Sequence, residues 1–223
     1  MPKGEIEVTS IPESLLKSLD KVQQFDQKKL LLIRHTDREE MLPGTLGSDV
    51  HITDKGRVKA FELGSKLKLF SIEWCKTSPL PRCTQTIDSI ESGYGKNIAL
   101  SNCELLGAPG SFVFDGDQAA QAFIDHGAEV VIRDLIKGSI FPGIRSSREG
   151  SEYLLKGLID ILEENTGDGI CISHDAILMP FISHYCNEHF QEQWLPPLGG
   201  IVLTEFDNKY TICWNGNMHE VIL

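Results

Sequence analysis

A continuous apolar run, Leu30 to Ile33, most constrains how this chain can fold. No polar residue interrupts the run, so a strand formed from it must be buried on both faces, as the strands of a parallel sheet are. Arg34 and His35 follow directly, where that strand should end. In open α/β sheets, ligands bind beyond the carboxyl ends of the strands. An arginine and a histidine therefore stand where this architecture places its site.

A second arginine lies close to the same histidine. Arg38 follows Arg34 so closely that both guanidinium groups and the His35 imidazole can converge if the chain curls after the strand. Guanidinium groups match phosphate and carboxylate oxygens bidentately, and a histidine can act as a base or a nucleophile. Because an Arg-His pair after a strand is common by chance, this interpretation depends on the rest of the chain.

Charge and cysteine content limit the classes of protein to consider. The 223 residues carry a formal net charge of -11, whereas general nucleic-acid binding needs a basic surface, so we expect no nucleic-acid partner. The six cysteines form no Cys-x-x-Cys pair, which argues against structural zinc, and their apolar contexts suit a reducing compartment. The sequence shows no signal-peptide pattern and no apolar run of membrane-spanning length. We therefore predict a cytoplasmic protein that does not contact membranes.

Hydrophobic periodicity predicts an α/β fold. Helices are expected over residues 13–25, 53–69, 82–92, 117–125, 128–137, 149–165 and 176–186. Strands are expected over 30–34, 71–77, 97–103 and 170–173, followed by a hairpin of 201–206 and 210–214. We predict one domain, residues 1–223, with three layers: a mostly parallel open sheet with helices on both faces. A small cap insertion at about 105–150 and the C-terminal β-hairpin complete it.

The helix over 53–69 illustrates how these boundaries are set. Thr53 is expected to be its N-cap, since a threonine hydroxyl can accept a hydrogen bond from the first turn. Its apolar, core-facing side is expected to include Val58, Phe61 and Leu67, with Ala60, Leu63 and Gly64.

Three strand ends carry the polar residues that suggest chemistry. Arg34-His35, Arg82 and His174-Asp175 each follow a predicted strand, and such ends meet along one edge of a parallel sheet. Two histidines and an aspartate could bind a metal, but adjacent arginines would repel a cation, so we predict a phosphoryl site and no metal. A Gly-x-x-x-x-Gly-Lys-Ser/Thr loop is absent from the sequence, which argues against nucleoside triphosphate hydrolysis of that type.

Four segments, in order along the chain, resemble the motifs of one known family. They are Leu32-Ile33-Arg34-His35-Thr36, Ile52-Thr53-Asp54-Lys55-Gly56, Ser78-Pro79-Leu80-Pro81-Arg82 with Thr86, and Ser173-His174-Asp175. These segments are similar to the Arg-His-Gly, Leu-Thr-x-x-Gly, Ser-Pro-x-x-Arg-x-x-x-Thr and second histidine motifs of the histidine phosphatase superfamily, which has the phosphoglycerate-mutase-like fold. The resemblance spans roughly residues 30–186.

The resemblance implies a role for each matching residue. His35 would be the nucleophile that becomes a phosphohistidine. Arg34, Arg82 and His174 would bind the phosphoryl oxygens and stabilise charge in the transition state. Thr36 stands where the family has glycine.

Two further residues match the acid-phosphatase branch of the superfamily. Arg38 is similar in position to that branch's third arginine and would be a further phosphate ligand. Asp175, in its His-Asp pair, would protonate the leaving oxygen and then activate water. Because nearby cations lower the pKa of a carboxyl group, this acid role favours low pH or a dianionic substrate. Glu104 lies roughly where the mutase branch has its acid, so it stays open as the alternative proton donor.

The implied activity is metal-independent hydrolysis of a small phosphomonoester, by a histidine-type phosphatase that uses no cofactor. Three alternatives stay open: a phosphoglycerate-mutase-type phosphotransferase, a protein phosphohistidine phosphatase, and a catalytically silent module that binds a phospholigand. A mutase needs cationic contacts for a second anionic group, and the sparse arginines of the cap argue against it.

Other polar and aromatic residues are interpreted as lying outside the chemistry. Arg145 and Arg148 are expected to be solvated, and Trp194 is expected to pack in the core or against the hairpin. The cap also contains Phe112, Phe114 and Phe141. These side chains suggest an apolar or aromatic leaving group, although packing would explain their presence equally well.

Overall fold

The structure is a computed structural model that describes residues 11–42, 45–190 and 193–221. The helices in these ranges are α1 (Glu13–Val22), α2 (Asp54–Lys66), α3 (Pro81–Tyr94), α4 (Gly116–His126), α5 (Ala128–Ile136), α6 (Ser147–Glu164) and α7 (Asp175–Cys186). The strands are β1 (Lys29–Arg34), β2 (Ile72–Thr77), β3 (Ala99–Asn102), β4 (Asp168–Ser173), β5 (Gly200–Phe206), β6 (Lys209–Trp214) and β7 (Asn217–Glu220). None of the described helices is both long and apolar enough to cross a membrane.

The strands form one open sheet in the order β3-β2-β4-β1-β5-β6-β7. The half from β3 to β1 is parallel, and the half from β1 to β7 is antiparallel, so the sheet is mixed. The predicted α/β fold with an open sheet is confirmed. The expected hairpin of β5 and β6 turns at Asp207 and Asn208, whose positive φ angles of 51° and 59° suit a two-residue hairpin. β7 was not predicted from the sequence.

β1 lies inside the sheet, and its apolar run supplies both cores. Leu31 and Ile33 point into the layer formed by α1, α2 and α3, whereas Leu30 and Leu32 point into the layer formed by α4 to α7. Consecutive residues of a strand face opposite sides, so one short apolar run can serve two helical layers. Helices on both faces of the sheet, as expected, make the fold three-layered.

α2 approaches α3 closely at Gly64, and its buried residues include Ala60 and Leu63, as expected, but not all of its large apolar ones. Thr53 is the N-cap as expected, because its hydroxyl accepts a hydrogen bond of 2.9 Å from the Gly56 N–H. Val58 and Phe61, however, are 52% and 49% exposed, so their predicted core-facing role is wrong. The reason is the close approach at Gly64, where a Cβ would lie only 2.0 Å from the Ile90 carbonyl oxygen. This contact turns Val58 and Phe61 toward solvent.

Residues 105–150, which we call the cap, lie across a cavity from the strand ends. The cap contains α4 and α5. The segments before α4 and after α5 are joined by an antiparallel β-bridge between Val113 and Ile144. It contributes much of the lining of the cavity, and its apolar side chains join the core of α6 and α7. The cap thereby places one wall opposite the carboxyl ends of β1 and β4.

Candidate active site

Except for Arg34, the residues predicted at three strand ends line one cavity of about 750 Å³, and Arg34 lies behind that lining, paired with Asp175. Arg34 ends β1, and the next residue, His35, donates its backbone N–H to the Ser173 carbonyl at the end of β4. The parallel pairing of β1 with β4 therefore aligns the two histidine motifs directly. The described lining includes five of the predicted residues, His35, Arg38, Arg82, His174 and Asp175.

His35 is a buried imidazole in a defined tautomer. His35 is only 2% exposed, and its Nδ1 lies 2.7 Å from the Thr36 carbonyl oxygen. A carbonyl only accepts hydrogen bonds, so Nδ1 carries the proton and Nε2 carries the lone pair. Burial and the positive charge of Arg34 lower the pKa of His35 to about 3. The imidazole is neutral at pH 7, which is the form a nucleophile requires.

The loop after His35 is held by two of the motif segments, through Thr86 and Gly56. The Thr36 N–H donates to the Thr86 hydroxyl over 3.1 Å, and the Thr36 hydroxyl donates to the Gly56 carbonyl over 3.0 Å. A Cβ at Gly56 would lie 2.4 Å from the Asp37 carbonyl oxygen, so this position needs glycine. Threonine in place of the family's glycine at position 36 thus adds a link between the loop and α2.

The guanidinium groups around His35 can bind an anion. Arg82 is buried near the start of α3 and donates from Nη1 to the Gly47 carbonyl over 2.6 Å. The Nε atoms of Arg34 and Arg82 are buried without a hydrogen-bond partner among the described residues. Arg38 is half-buried in the cavity lining. Buried charged donors without partners are rare, and oxyanions are the ligands that guanidinium groups match.

His174 is fixed by contacts that the sequence did not predict. Its Nε2 lies 2.9 Å from the Ser78 hydroxyl and 3.6 Å from the Cys83 sulfur. Burial, and then the charge of Arg82, lower the pKa of His174 well below its usual range, so the ring is neutral. Gly107 packs against the same ring, and a Cβ there would lie 2.6 Å from His174 Nε2. The two imidazoles of His35 and His174 meet edge to face at 5.4 Å.

Asp175 is an ionised carboxylate with two strong partners. Its Oδ2 accepts hydrogen bonds from Arg34 Nη2 at 2.7 Å and from Trp194 Nε1 at 2.8 Å. Burial raises the pKa of Asp175, but Arg34 and the indole donor outweigh it and hold the pKa below the ordinary value. Trp194 packs against the core, as expected, but its indole N–H also binds a site residue, which the sequence did not predict.

The two candidates for the proton donor lie in different surroundings. Asp175 lines the cavity, next to both histidines. Glu104 lies in a 3-10 turn over residues 104–106, where its side chain is exposed and outside the described lining. The geometry thus brings Asp175, and not Glu104, to His35.

The cap residues singled out by the sequence are divided between two surfaces. Phe112 is buried and lines the cavity, whereas Phe114 and Phe141 line a separate outer groove, so only one of the three can touch a ligand beside His35. Arg145 lies in that groove and donates to the Ser111 and Val113 carbonyls, so it is a structural cap residue and not merely solvated. Arg148 is exposed and pairs with Glu152.

Three residues of the site were missed as chemistry in the sequence: Ser78, Gly107 and Trp194. Ser78 does stand in the Ser-Pro motif, so a signal existed, and Gly107 stands in a Gly-Ala-Pro-Gly turn. Trp194 comes from the segment between α7 and β5, where no motif marks it.

Comparison with known proteins gives a family match and a fold match. Residues 30–104 match the model of the histidine phosphatase superfamily (branch 1). No curated protein sequence matches the chain significantly. The predicted resemblance to this superfamily is confirmed, whereas the acid-phosphatase branch, which is not the branch matched, stays a prediction.

Solved structures share the fold at low sequence identity. YhfR from Bacillus stearothermophilus has a TM-score of 0.60 and 16% identity, covering 85% of this chain and 97% of its own. A phosphoglycerate mutase from Bacillus anthracis has a TM-score of 0.59 and 14% identity, covering 87% and 95%. A phosphoserine phosphatase mutant from Entamoeba histolytica, in complex with phosphoserine, has a TM-score of 0.55 and 21% identity, covering 84% and 96%. These similarities show a phosphoglycerate-mutase-like fold.

Proposed function

From a chain that carries the histidine phosphatase signature on a phosphoglycerate-mutase-like fold, we propose a phosphomonoester hydrolase that works through a phosphohistidine on His35. The observation that carries this proposal is the state of His35. It is buried and neutral, its Nδ1 proton is held by the Thr36 carbonyl, and its Nε2 lone pair is available beside guanidinium groups. A neutral nucleophile surrounded by fixed cations suits attack on a phosphoryl group.

The proposed reaction has two steps that use the same groups. First, His35 Nε2 attacks phosphorus, the bond to the leaving oxygen breaks, and Asp175 gives its proton to that oxygen. Water then attacks phosphorus, the P–N bond breaks, and Asp175 takes a proton from the water. Arg34, Arg38, Arg82 and His174 hold the phosphoryl oxygens in both steps, and His35 ends as it began.

Asp175 must become protonated before it can act as an acid, and binding of the substrate would raise its pKa. Without substrate the carboxylate is paired with Arg34 over 2.7 Å. A phosphate dianion that binds Arg34 competes for the same guanidinium group and adds negative charge nearby. Both changes raise the pKa of Asp175, since loss of an opposite charge and approach of a like charge each favour the neutral carboxyl. The proton donor is thereby prepared only when a phosphate is bound.

Hydrolysis is favoured over mutase chemistry by the distribution of charge in the cavity. A mutase must hold a second anionic group of its substrate as well as the transferred phosphoryl group. In the described lining, the charged side chains of Arg38, Arg82 and Asp175 all belong to the strand-end side, and the cap contributes none. A second anion would have no cation to bind on the cap side.

The decisive experiment compares wild type with His35→Ala on p-nitrophenyl phosphate across pH, with a chelator present. We expect turnover in the wild type, unaffected by the chelator, and a loss of at least about 10⁴-fold in the variant. Quenched wild-type enzyme should carry an acid-labile, alkali-stable phosphoryl group on His35, detectable by mass spectrometry.

His51→Ala is the matched control for this experiment. His51 is exposed, its ring contacts Gln85, and it lies outside the described lining, so its removal should leave the rate unchanged. Turnover that survives His35→Ala would refute His35 as the nucleophile. Vanadate binding without any turnover would instead support a silent binding module.

A further inference from the structure

The cap side of the cavity lacks polar side chains. Every cap residue in the described lining is a glycine, an alanine, a proline or a larger apolar residue. The largest side chains among them include Phe112, Phe123, Ile124, Val131, Ile132 and Leu135. This wall therefore offers a ligand apolar surface and no side-chain hydrogen bond.

The apolar wall continues to the mouth of the cavity and out to solvent. Ile124 on α4 is 48% exposed although it lines the cavity, and Leu46 on the opposite loop is 50% exposed. Large apolar side chains left open around a concave site are typical of surfaces that bind apolar ligands. The cavity thus has a cationic end at the strand ends and an apolar end at the cap.

We propose that the substrate is the phosphate monoester of a large apolar alcohol, a proposal that rests on the proposed hydrolase function. The phosphate lies against Arg82 and His35, and the hydrocarbon lies against Phe112, Ile124 and Ile132 of the cap. A cavity of about 750 Å³ lies within the range that encloses a drug-sized ligand. A phosphorylated sugar or amino acid would lose its hydrogen bonds to water when it packs against this wall. No cap side chain in the described lining could replace those hydrogen bonds.

The first experiment measures kcat/KM for n-alkyl phosphates from ethyl to octyl. Each methylene transferred from water to the cap should raise kcat/KM by about fourfold, until the hydrocarbon fills the cavity. Glycerol phosphate and phosphoserine should react far more slowly than propyl phosphate, which has a similar length. A flat series, or a preference for the polar esters, would overturn the proposal.

A pair of cap variants tests whether the apolar wall causes the chain-length effect. Ile124 lines the cavity and is 48% exposed, whereas Val130 on α5 is 47% exposed and lies outside the described lining. Ile124→Asn should lower the ratio of kcat/KM for octyl over ethyl phosphate by about tenfold. Val130→Asn introduces the same amide at equal exposure and should leave the ratio unchanged. Equal effects of the two substitutions would contradict a specific contact at Ile124.

Calorimetric binding of alkyl phosphonates, which are not hydrolysed, separates this proposal from the proposed function. If no ester is hydrolysed but the phosphonate Kd tightens with chain length, the hydrolase proposal fails and the apolar binding site stands. If esters are hydrolysed but neither kcat/KM nor Kd depends on chain length, the hydrolase stands and the apolar substrate class fails. The absence of both turnover and chain-length dependence would reject the two together.

Discussion

The two walls of the cavity differ in polarity: the strand-end side carries charged and polar groups, whereas the cap side is apolar. The strand-end side consists of His35, Arg38, Arg82, His174 and Asp175, and each side chain there has a fixed partner or tautomer. The cap side supplies only apolar surface, part of which is open to solvent. In the proposed reaction, the chemistry would depend on exact placement of a few groups, whereas recognition of the leaving group would depend on shape and total apolar area. Substitutions should accordingly have large effects on the first wall and graded effects on the second.

The largest difference is expected between an arginine of the strand-end side and an exposed cap arginine outside the described cavity lining. Arg82→Met should lower kcat/KM for p-nitrophenyl phosphate by about 10³-fold, because a buried cation at the phosphoryl site is lost. Arg148→Met removes an exposed cap arginine that pairs with Glu152, and should change kcat/KM by less than about twofold. Steady-state kinetics of both variants measures the contrast. Equal losses would mean that the strand-end side is not the phosphoryl site.

Gly107 is a point at which the cap touches the strand-end side. Its φ of +144° disfavours other residues, and a Cβ there would lie 2.6 Å from His174 Nε2. Gly107→Ala should displace the imidazole and lower kcat by about 10²-fold, because small misplacements of catalytic groups are costly.

Gly138→Ala is the control for backbone strain at Gly107. Gly138 has a φ of +96°, but a Cβ there would meet no other atom within 4 Å, so its substitution should affect stability alone. Thermal unfolding and kinetics of the two variants separate strain from displacement of His174. Unchanged turnover in Gly107→Ala would show that the ring position is not critical.

Burial of neutral histidines on the strand-end side predicts a pH-dependent stability. The pKa of His35 falls from an ordinary value near 6.5 to about 3 on folding, so between these values the unfolded chain binds more protons than the folded chain. The contribution of His35 to the free energy of unfolding should therefore be fully present above pH 6.5. It should decrease as the pH drops toward 3, by up to about 3 kcal/mol at pH 4.

Chemical denaturation of wild type and His35→Ala at pH 7 and pH 4 measures this contribution. The variant should lose less stability on acidification than the wild type, because it lacks the buried imidazole. His189→Ala removes an exposed histidine and should lose as much as the wild type does. Identical acid sensitivity in all three proteins would contradict a pKa of His35 lowered by burial.

The smallest effect concerns Trp194, which belongs to neither wall. Its indole N–H helps to hold the pKa of Asp175 below the ordinary value. Trp194→Phe removes that donor, so the pKa should rise and the acid should stay protonated to higher pH. The alkaline limb of kcat against pH, which reports the substrate-bound enzyme, should therefore move upward by less than about one unit. A limb that moves in Glu104→Gln and not in Trp194→Phe would assign the acid to Glu104.

Sequence patterns predicted the strand-end side better than the cap. The apolar run of β1 and the polar residues after three strands are local patterns, and parallel pairing of β1 with β4 suffices to bring His35 and His174 together. Their roles in catalysis remain predictions. The indole of Trp194 meets Asp175 only through tertiary packing, so no local pattern could predict that contact.

The errors in the sequence interpretation come from tertiary contacts that no local sequence pattern shows. Val58 and Phe61 are large and apolar, which predicts a place in the core, but glycine contacts between α2 and α3 decide which face is buried. The sequence does not distinguish Phe112 from Phe114, since only the course of the cap separates the cavity from the outer groove. Periodicity measures the tendency to be buried, and close backbone approach can override it.

The position of β1 between β4 and β5 has a consequence for biosynthesis. Leu30 pairs with Gly169 on one side and with Leu203 on the other, so the strand that precedes His35 acquires its neighbours only after β4 and β5 have been synthesised. The Arg34 N–H likewise lacks its partner until the Gly199 carbonyl has been synthesised. A nascent chain that ends anywhere within the cap contains His35 but neither flanking strand, and its apolar run stays exposed to chaperones. The site can therefore form only after the chain has been synthesised past β5.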